Sequence, residues 1–366
     1  MVCIAAFIVL LMISVPVLVL SIVGKFNARV HSAVTPFWKM FKKAWHCVGR
    51  RVTFRACDSS FKDDIKNSVL SRLILKHKKW VKPVSAAIEV ASVLIVVVAI
   101  WSLVEVGKAG LSIYVYGTCN VVRPEACLLG DGEVCSTEET TKRNFVVGWF
   151  TGWGELFAAL PARVKAWDAA EFLPDNANFL SYNQNNSVAL DILDPGCVNC
   201  LKSFNNQLRA GFFEQYNVAV VIYPIRDSES DDGYKFANSY LISSYLEAVR
   251  SFKTSDIPAP EWLIIKKLFT EKDEEIGIDY QSAFNGLKGL TGTPYEVEKA
   301  ETMIKDWLKG FGFNDHEIEQ IAARAHSDET RVIIENSHNL VDNIIKTKGI
   351  PTTIYDGKRH IGVWRE

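Results

Sequence analysis

Two kinds of hydrophobic pattern follow one another along the chain. Met1 to Gly24 (MVCIAAFIVLLMISVPVLVLSIVG) is an uncharged, mostly apolar run of 24 residues, and about 20 such residues cross a bilayer core as a helix. It lacks the basic start, short apolar stretch and small-x-small cleavage site of a removed signal peptide, so it reads as a retained membrane helix over about residues 2–24. Pro16 lies within it, which a helix in lipid tolerates. A second run, Val84 to Val106, has an unbroken apolar centre from Val90 to Val104, with Glu89 and Glu105 toward its ends. Carboxylates there reach the interface at less cost. A second membrane helix is expected over about residues 84–106; a buried helix of a soluble core is the alternative.

Farther on the runs become short. Val188 to Leu193 is apolar except for Asp191 and is closed by Asp194-Pro195-Gly196, which predicts a buried strand ending in a turn. Leu201, Phe204, Leu208 and Phe212 then recur at helical spacing, marking a helix that starts at Cys197 and Cys200. Val218 to Ile222 predicts the next buried strand. From about residue 232 to 347 the pattern is helical. Thr293-Pro294-Tyr295-Glu296 looks like a capping box opening a helix that Gly310 ends, Asn314 or Asp315 starts another, and a last helix closes near Gly349. The stretch from Lys348 to Val363 predicts a strand, an Asp356-Gly357 hairpin turn and a return strand, with Pro351 either an edge proline or part of a cis peptide. Phe145 to Trp167 is rich in aromatics. It is expected to lie in an interface or on the following domain rather than to cross the membrane, because Glu155, Arg163 and Lys165 interrupt it.

Composition narrows the classes. With 48% hydrophobic and 23% charged residues the chain is neither disordered nor collagen-like, and 8 Cys in 366 residues are too few for a small disulfide scaffold. The formal charge of −1 conceals a division. From Lys25 to Lys82 there are 15 basic and 3 acidic residues, a net of +12, and from Pro83 onward the net is −13. By the positive-inside rule the loop at residues 25–83 stays cytoplasmic, which puts both chain ends and everything after about residue 107 outside. Phe37, Trp38, Phe41 and Trp45 alternate there with Lys39, Lys42 and Lys43, a pattern suited to anionic membrane lipids. A basic stretch so short, set between apolar runs, argues against nucleic acid as a partner.

The cysteines then sort by compartment. Cys3 falls in the first helix, and Cys47 and Cys57 in the cytoplasmic loop, where thiols stay reduced. Cys119, Cys127, Cys135 and the pair in Cys197-Val198-Asn199-Cys200 fall outside. Five is an odd number: if Cys197 pairs with Cys200, one of the upstream three is unpaired or bound to another chain. A zinc site would need a second such pair, so neither a metal nor an organic cofactor is expected. His316, His326 and His338 read as surface or capping residues. A cysteine in the first turn of a helix meets unpaired N–H groups and the positive end of the dipole, which favours its thiolate. Cys197 is therefore the expected nucleophile and Cys200 the resolving thiol. Asp191, six residues before Cys197, is a candidate buried proton carrier for Cys200 or a strand-edge acid without chemistry.

Taken together, strand, Cys-x-x-Cys, helix, strand, long insert and then Gly349-Ile350-Pro351-Thr352 with a hairpin resemble the thioredoxin superfamily, and within it the DsbA-like thiol–disulfide oxidoreductases. The resemblance covers about residues 178–366. It implies an α/β, thioredoxin-like fold with a helical insertion domain, here preceded by two transmembrane helices. It implies catalytic roles for Cys197, Cys200, Asp191 and a cis Pro351, and substrate contacts from Ile350, Pro351, Val198 and Asn199. Residues 1–107 are then a membrane hairpin, 108–177 a connector and 178–366 the redox domain with its insert at about 232–347. The dipeptide Val198-Asn199 is neither the His-containing pair of strong oxidants nor the Gly-Pro of reductants. The chain stops at Glu366 soon after the last strand, which implies that the family's closing helix is absent or replaced. The expected function is disulfide exchange with cysteine-containing proteins outside the cytoplasm, in oxidative folding, with a separate redox partner recycling the pair. A reductase or isomerase of the same fold, or a redox-inactive assembly or binding module in the membrane, is the alternative.

Overall fold

A strand buried on both faces reads as a continuous apolar run rather than an alternating one, and Ser187–Leu193 (β2) follows that rule from Val188 onward except at Asp191. It occupies an inner position in a four-stranded sheet among the described residues, between Tyr216–Ile222 (β3) and Thr352–Tyr355 (β5), with Lys358–Ile361 (β6) beyond. β3 runs parallel to β2, whereas β5 and β6 form an antiparallel hairpin on its other side. Asp356 and Gly357 both have positive φ, 48° and 73°, as a two-residue hairpin turn of this twist requires. The parallel β2–β3 connection is made by Val198–Arg209 (α1) and the short helix Phe212–Gln215 (α2).

The computed structural model describes residues 42, 46, 81–119, 121, 134–137, 145–174, 177–230, 232–252, 257–286 and 294–365. The expected first membrane helix and almost all of the basic loop lie outside these residues. The chain divides into two compact units, Met1–Gly107 and Lys108–Glu366. A helix of 36 residues, Val81–Tyr116, begins in the first and ends in the second. Among the described residues it contains the one stretch long and apolar enough to cross a bilayer, Val93–Tyr116. The helix therefore runs 10 residues past the expected end at 106. Its last turns bury Ser112, Val115 and Tyr116, and Val115 and Tyr116 pack with Leu156 of the helix Phe145–Val164. Tyr116 donates its hydroxyl to the Glu155 carbonyl, and Lys108 Nζ donates to the Trp149 carbonyl. The aromatic segment is thus a helix packed on protein along one side, with Phe150 and Phe157 left exposed.

The α1 helix buries Asn199, Cys200, Ser203, Phe204 and Gln207. Leu201 is only half-buried and Leu208 is exposed, so the buried face is rotated from the one that apolar spacing marked. The rotation puts Gln207 beneath the sheet, where its amide meets Asp191 and Thr353. Phe204 packs with Phe213 of α2 and with Trp262 and Phe269 of the insert, joining α1 to the insert.

The insert is mostly helical, with Ser239–Val249 (α3), Pro260–Thr270 (α4), Tyr280–Asn285 (α5), Val297–Gly310 (α6), Asp315–Ala325 (α7) and Asp328–Asn339 (α8), the last running into a short π-helix at Leu340–Ile345. Asn314 caps α7 in a complete capping box with Glu317. By contrast, α6 starts at Val297 behind Glu296, not at the box expected from Thr293. The Tyr295 backbone is committed elsewhere: its N–H donates to the Ala283 carbonyl, and its own carbonyl accepts from Asn238 Nδ2. His338 is buried rather than at the surface, with Nε2 2.8 Å from the Pro224 carbonyl and its ring edge-on to Tyr223. Burial lowers its pKa. His316 and His326 are exposed, and His326 pairs with Glu301 at 3.0 Å.

Arg250 fixes the insert to the sheet. Its Nη2 donates to the Val220 carbonyl of β3 at 2.6 Å, while Glu247 and Glu261 lie 3.5 and 3.8 Å from its guanidinium. Burial raises both carboxyl pKa values and Arg250 opposes the rise. Removing one member of such a group leaves uncompensated buried charge, at a cost of about 3–5 kcal/mol. Arg250→Met is therefore expected to lose roughly 3–5 kcal/mol of unfolding free energy at pH 7.5 in denaturant titration. The loss should shrink as the pH falls and the two carboxyls take up protons; a deficit that does not change with pH would exclude this account.

Candidate functional site

At the end of β2 the chain turns through Asp194-Pro195-Gly196 and Cys197 becomes the N-cap of α1, its N–H donating to the Asp194 carbonyl at 3.1 Å. The turn is built around the Asp194 side chain, which accepts from the N–H groups of Gly196 and Ile225, both at 2.7 Å, and from the Ser239 hydroxyl. Gly196 is required by close approach, since a Cβ there would overlap the Phe236 side chain. Gln281 Nε2 donates to the Gly196 carbonyl at 2.5 Å. Two insert helices, α3 through Ser239 and α5 through Gln281, thereby hold the turn that carries the cysteine.

The sulfurs do not pair within Cys-x-x-Cys. Cys197 is bonded to Cys135, and Cys200 is a free, buried thiol. Cys119 is also disulfide-bonded. Cys200 sits at the third helical position, its N–H donating to the Cys197 carbonyl at 3.0 Å and its sulfur accepting the Asp194 N–H at 3.4 Å. Burial pushes its pKa well above that of an ordinary thiol, and the fields of Asp194 and Asp191 push it further. The hydrogen bond from the Asp194 N–H opposes the rise without reversing it, so the buried Cys200 is a protonated thiol at neutral pH.

Asp191 lies on β2 opposite Thr353 of β5, buried, with Gln207 Nε2 donating to it at 3.1 Å. Burial raises the carboxyl pKa from 3.8 to about 6, against hydrogen bonds from Thr353 and Gln207. Burial does the same to Asp194, again to about 6.

The strand Gly349–Ile350 (β4) leads into this region, and the Ile350–Pro351 peptide is cis. The Ile350 carbonyl oxygen is 3.9 Å from Cys197 Sγ. A second short strand, Cys135–Ser136 (β1), lies antiparallel to β4, with Cys135 opposite Ile350 and Ser136 opposite Gly349. Asn199 is buried, its amide 3.8 Å from Cys135 Sγ, whereas Val198 is 39% exposed. Of the residues singled out from sequence, Asp191, Cys197, Asn199, Cys200, Ile350 and Pro351 thus come together in the buried region, and Val198 faces solvent.

Several members were not foreseen. Asp194 counted only as a turn residue, although an Asp before Pro-Gly is well placed to accept local N–H groups. Gln207 and Ser203 follow Cys200 at helical spacing, a polar stripe that apolar periodicity passes over. Cys135 had no signal of its own beyond the odd number of cysteines. Among the described residues no cluster of His, Cys, Asp and Glu has the arrangement to hold a metal ion.

No family model matches the chain, and no curated protein matches it. Solved structures do. The thiol-disulfide exchange protein alpha-DsbA2 from Wolbachia pipientis is 15% identical, over 61% of this chain and 94% of that one, with a TM-score of 0.34. MdbA, a thiol-disulfide oxidoreductase from Corynebacterium diphtheriae, is 15% identical over 48% of this chain and 78% of that one, with a TM-score of 0.34. A periplasmic thioredoxin-like protein from Salmonella enterica serovar Typhimurium is 14% identical over 54% of this chain and 87% of that one, with a TM-score of 0.31.

The raised Asp191 pKa has a consequence for stability. Between pH 3.8 and about 6 the folded chain keeps a proton that the unfolded chain has released, so Asp191 destabilises the fold increasingly as pH rises through that window. A shift of about two units corresponds to roughly 3 kcal/mol above it. Asp191→Asn should raise the unfolding free energy at pH 7.5 by up to about 3 kcal/mol, with no gain left near pH 4. An equal gain at both values would rule out charge burial as the cause.

Proposed function

We propose that the chain is a membrane-anchored thiol–disulfide oxidoreductase that exchanges disulfides with cysteine-containing proteins outside the cytoplasm, in oxidative protein folding. One observation carries the reading: Cys197, at a helix N-cap beside the carbonyl of a cis Ile350–Pro351 peptide, already holds a disulfide to an extended segment, with the free thiol of Cys200 one turn away.

The chemistry follows from that placement. The helix N-terminus stabilises a Cys197 thiolate or leaving group. A client thiolate attacks the Cys197–Cys200 disulfide at Cys197, and Cys200 leaves. The client's second thiolate then attacks the mixed disulfide at the client's own sulfur, which releases Cys197 and leaves the client oxidised. Cys200, deep in the site, resolves unproductive mixed disulfides by attacking Cys197 Sγ. Asp191, whose field reaches Cys200, takes or returns its proton. Ile350 and Pro351 offer backbone to the client, Asn199 touches the incoming sulfur, and the solvent-facing Val198 meets the client's surface. A separate redox partner reoxidises the pair.

The anchoring is supported by the long apolar helix and by the charge pattern of the sequence. In this reading residues 1–107 form a two-helix hairpin with its basic loop on the inner leaflet, 108–177 connect and 178–366 act. Two of the described disulfide-bonded cysteines, Cys119 and Cys135, lie in the connector, which suits an oxidising compartment.

The full-length chain in detergent is expected to oxidise a reduced dithiol peptide, with Cys197→Ser falling by about 10³-fold or more because the nucleophile is gone. Unchanged turnover in Cys197→Ser would sink the assignment, and a redox-inactive module predicts none in either protein. Topology has its own test. A Glu319→Cys variant, at a surface position, should react with an impermeant maleimide in intact cells; reaction only after lysis would put the domain in the cytoplasm.

A further inference from the structure

Residues 134–137 stand where a client should. Their strand runs antiparallel to β4 immediately before the cis peptide, and the Thr137 N–H donates to the Lys348 carbonyl at 3.3 Å. Strand addition of this kind binds an extended peptide through its main chain. Lys235 Nζ donates to the Ser136 carbonyl at 3.3 Å, a further tie from the insert. Gly349 has no left-handed backbone to demand glycine; it is needed because a Cβ would overlap Val134 Cγ1. The result is closure: Val134, Cys135 and Ser136 are buried, and Cys197 has no exposed surface at all.

We infer that Cys135 is a third redox cysteine and that its strand is an internal pseudo-substrate, a latch that occupies the client groove and must leave before a client can enter. This rests on the reading of Cys197 as the exchanging cysteine.

The opening step balances without any outside reagent. The Cys200 thiolate attacks Cys197 Sγ, the Cys197–Cys200 bond forms and the Cys135–Cys197 bond breaks. The electron pair leaves on Cys135 Sγ, which takes up the proton that Cys200 gave up. One disulfide is present before and one after. With its sulfur released, the strand separates from β4 and the groove is free; the reverse step shuts it again. The raised pKa of Cys200 slows this step, because little of the thiol is ionised at neutral pH. The latch also describes the client class: an extended, unfolded stretch with free backbone groups for β4 and a compact residue before its cysteine, as Val134 precedes Cys135.

A tethered competitor acts at an effective concentration on the order of millimolar, so at ~10 μM client the Cys135→Ser chain should oxidise a dithiol peptide roughly ten- to a hundredfold faster than the wild type. The experiment uses the full-length chain in detergent, with disulfides mapped by mass spectrometry of unreduced digests. Wild type should map Cys135–Cys197 and Cys135→Ser should map Cys197–Cys200. Gly349→Ala keeps every sulfur but unseats Val134, and should shift the map toward Cys197–Cys200; it decides the matter if Cys135→Ser fails to fold by circular dichroism. A wild-type map showing only Cys197–Cys200, an unshifted map in Gly349→Ala, or a Cys135→Ser rate equal to or below wild type overturns the latch. Provided peptide oxidation is still lost in Cys197→Ser, the oxidoreductase reading survives that result. No oxidation by wild type, Cys135→Ser or Cys197→Ser removes both.

Discussion

The Asp194 carboxylate is the joint on which the site depends. It binds the N–H that starts the turn before Cys197, the N–H of Ile225 beyond β3 and the hydroxyl of Ser239 at the head of α3. These groups belong to separate parts of the chain, and without the carboxylate two of them would be buried amides with no partner, each costing about 1–3 kcal/mol. A neutral side chain could accept the same bonds. The acid adds a field, and that field falls on Cys200.

Two buried carboxyls and a buried thiol therefore oppose one another inside the sheet–helix layer. Asp191 and Asp194 are each held near 6 by burial, and both disfavour a thiolate on Cys200. Cys197 is treated differently: it stands at the N-cap, free of a side-chain cap, where the amides of α1 favour negative charge. The asymmetry supports the proposed assignment of the exchanging role to Cys197 and the resolving role to Cys200, although only two residues separate them.

Much of this was legible in the sequence where apolar patterning is strict. β2, β3 and the Asp356-Gly357 hairpin are signalled by apolar runs, broken in β2 only by Asp191, and by a turn pair with few other uses, and Asp191, Cys197 and Pro351 lie beside those signals. The misses have physical causes. Buried polar residues such as Gln207 and Thr353 carry no hydrophobic signal, so the inward face of α1 was read with a rotation. Tyr295 left the start of α6 because tertiary hydrogen bonds outcompeted a local cap. The partnership of Cys135 with Cys197 spans 62 residues and depends on a two-residue strand, too short to leave a periodicity.

The Cys135–Cys197 bond with Cys200 free has a consequence for the proposed latch. Moving the disulfide from Cys135–Cys197 to Cys197–Cys200 changes neither mass, nor formal charge, nor the number of free thiols. The two forms are isomers, and their ratio at equilibrium is independent of the ambient ratio of thiol to disulfide. What sets it is conformational free energy: how well four residues sit against β4 compared with the same residues in water. Client availability, heat or strain on the connector can shift that balance, whereas glutathione poise cannot.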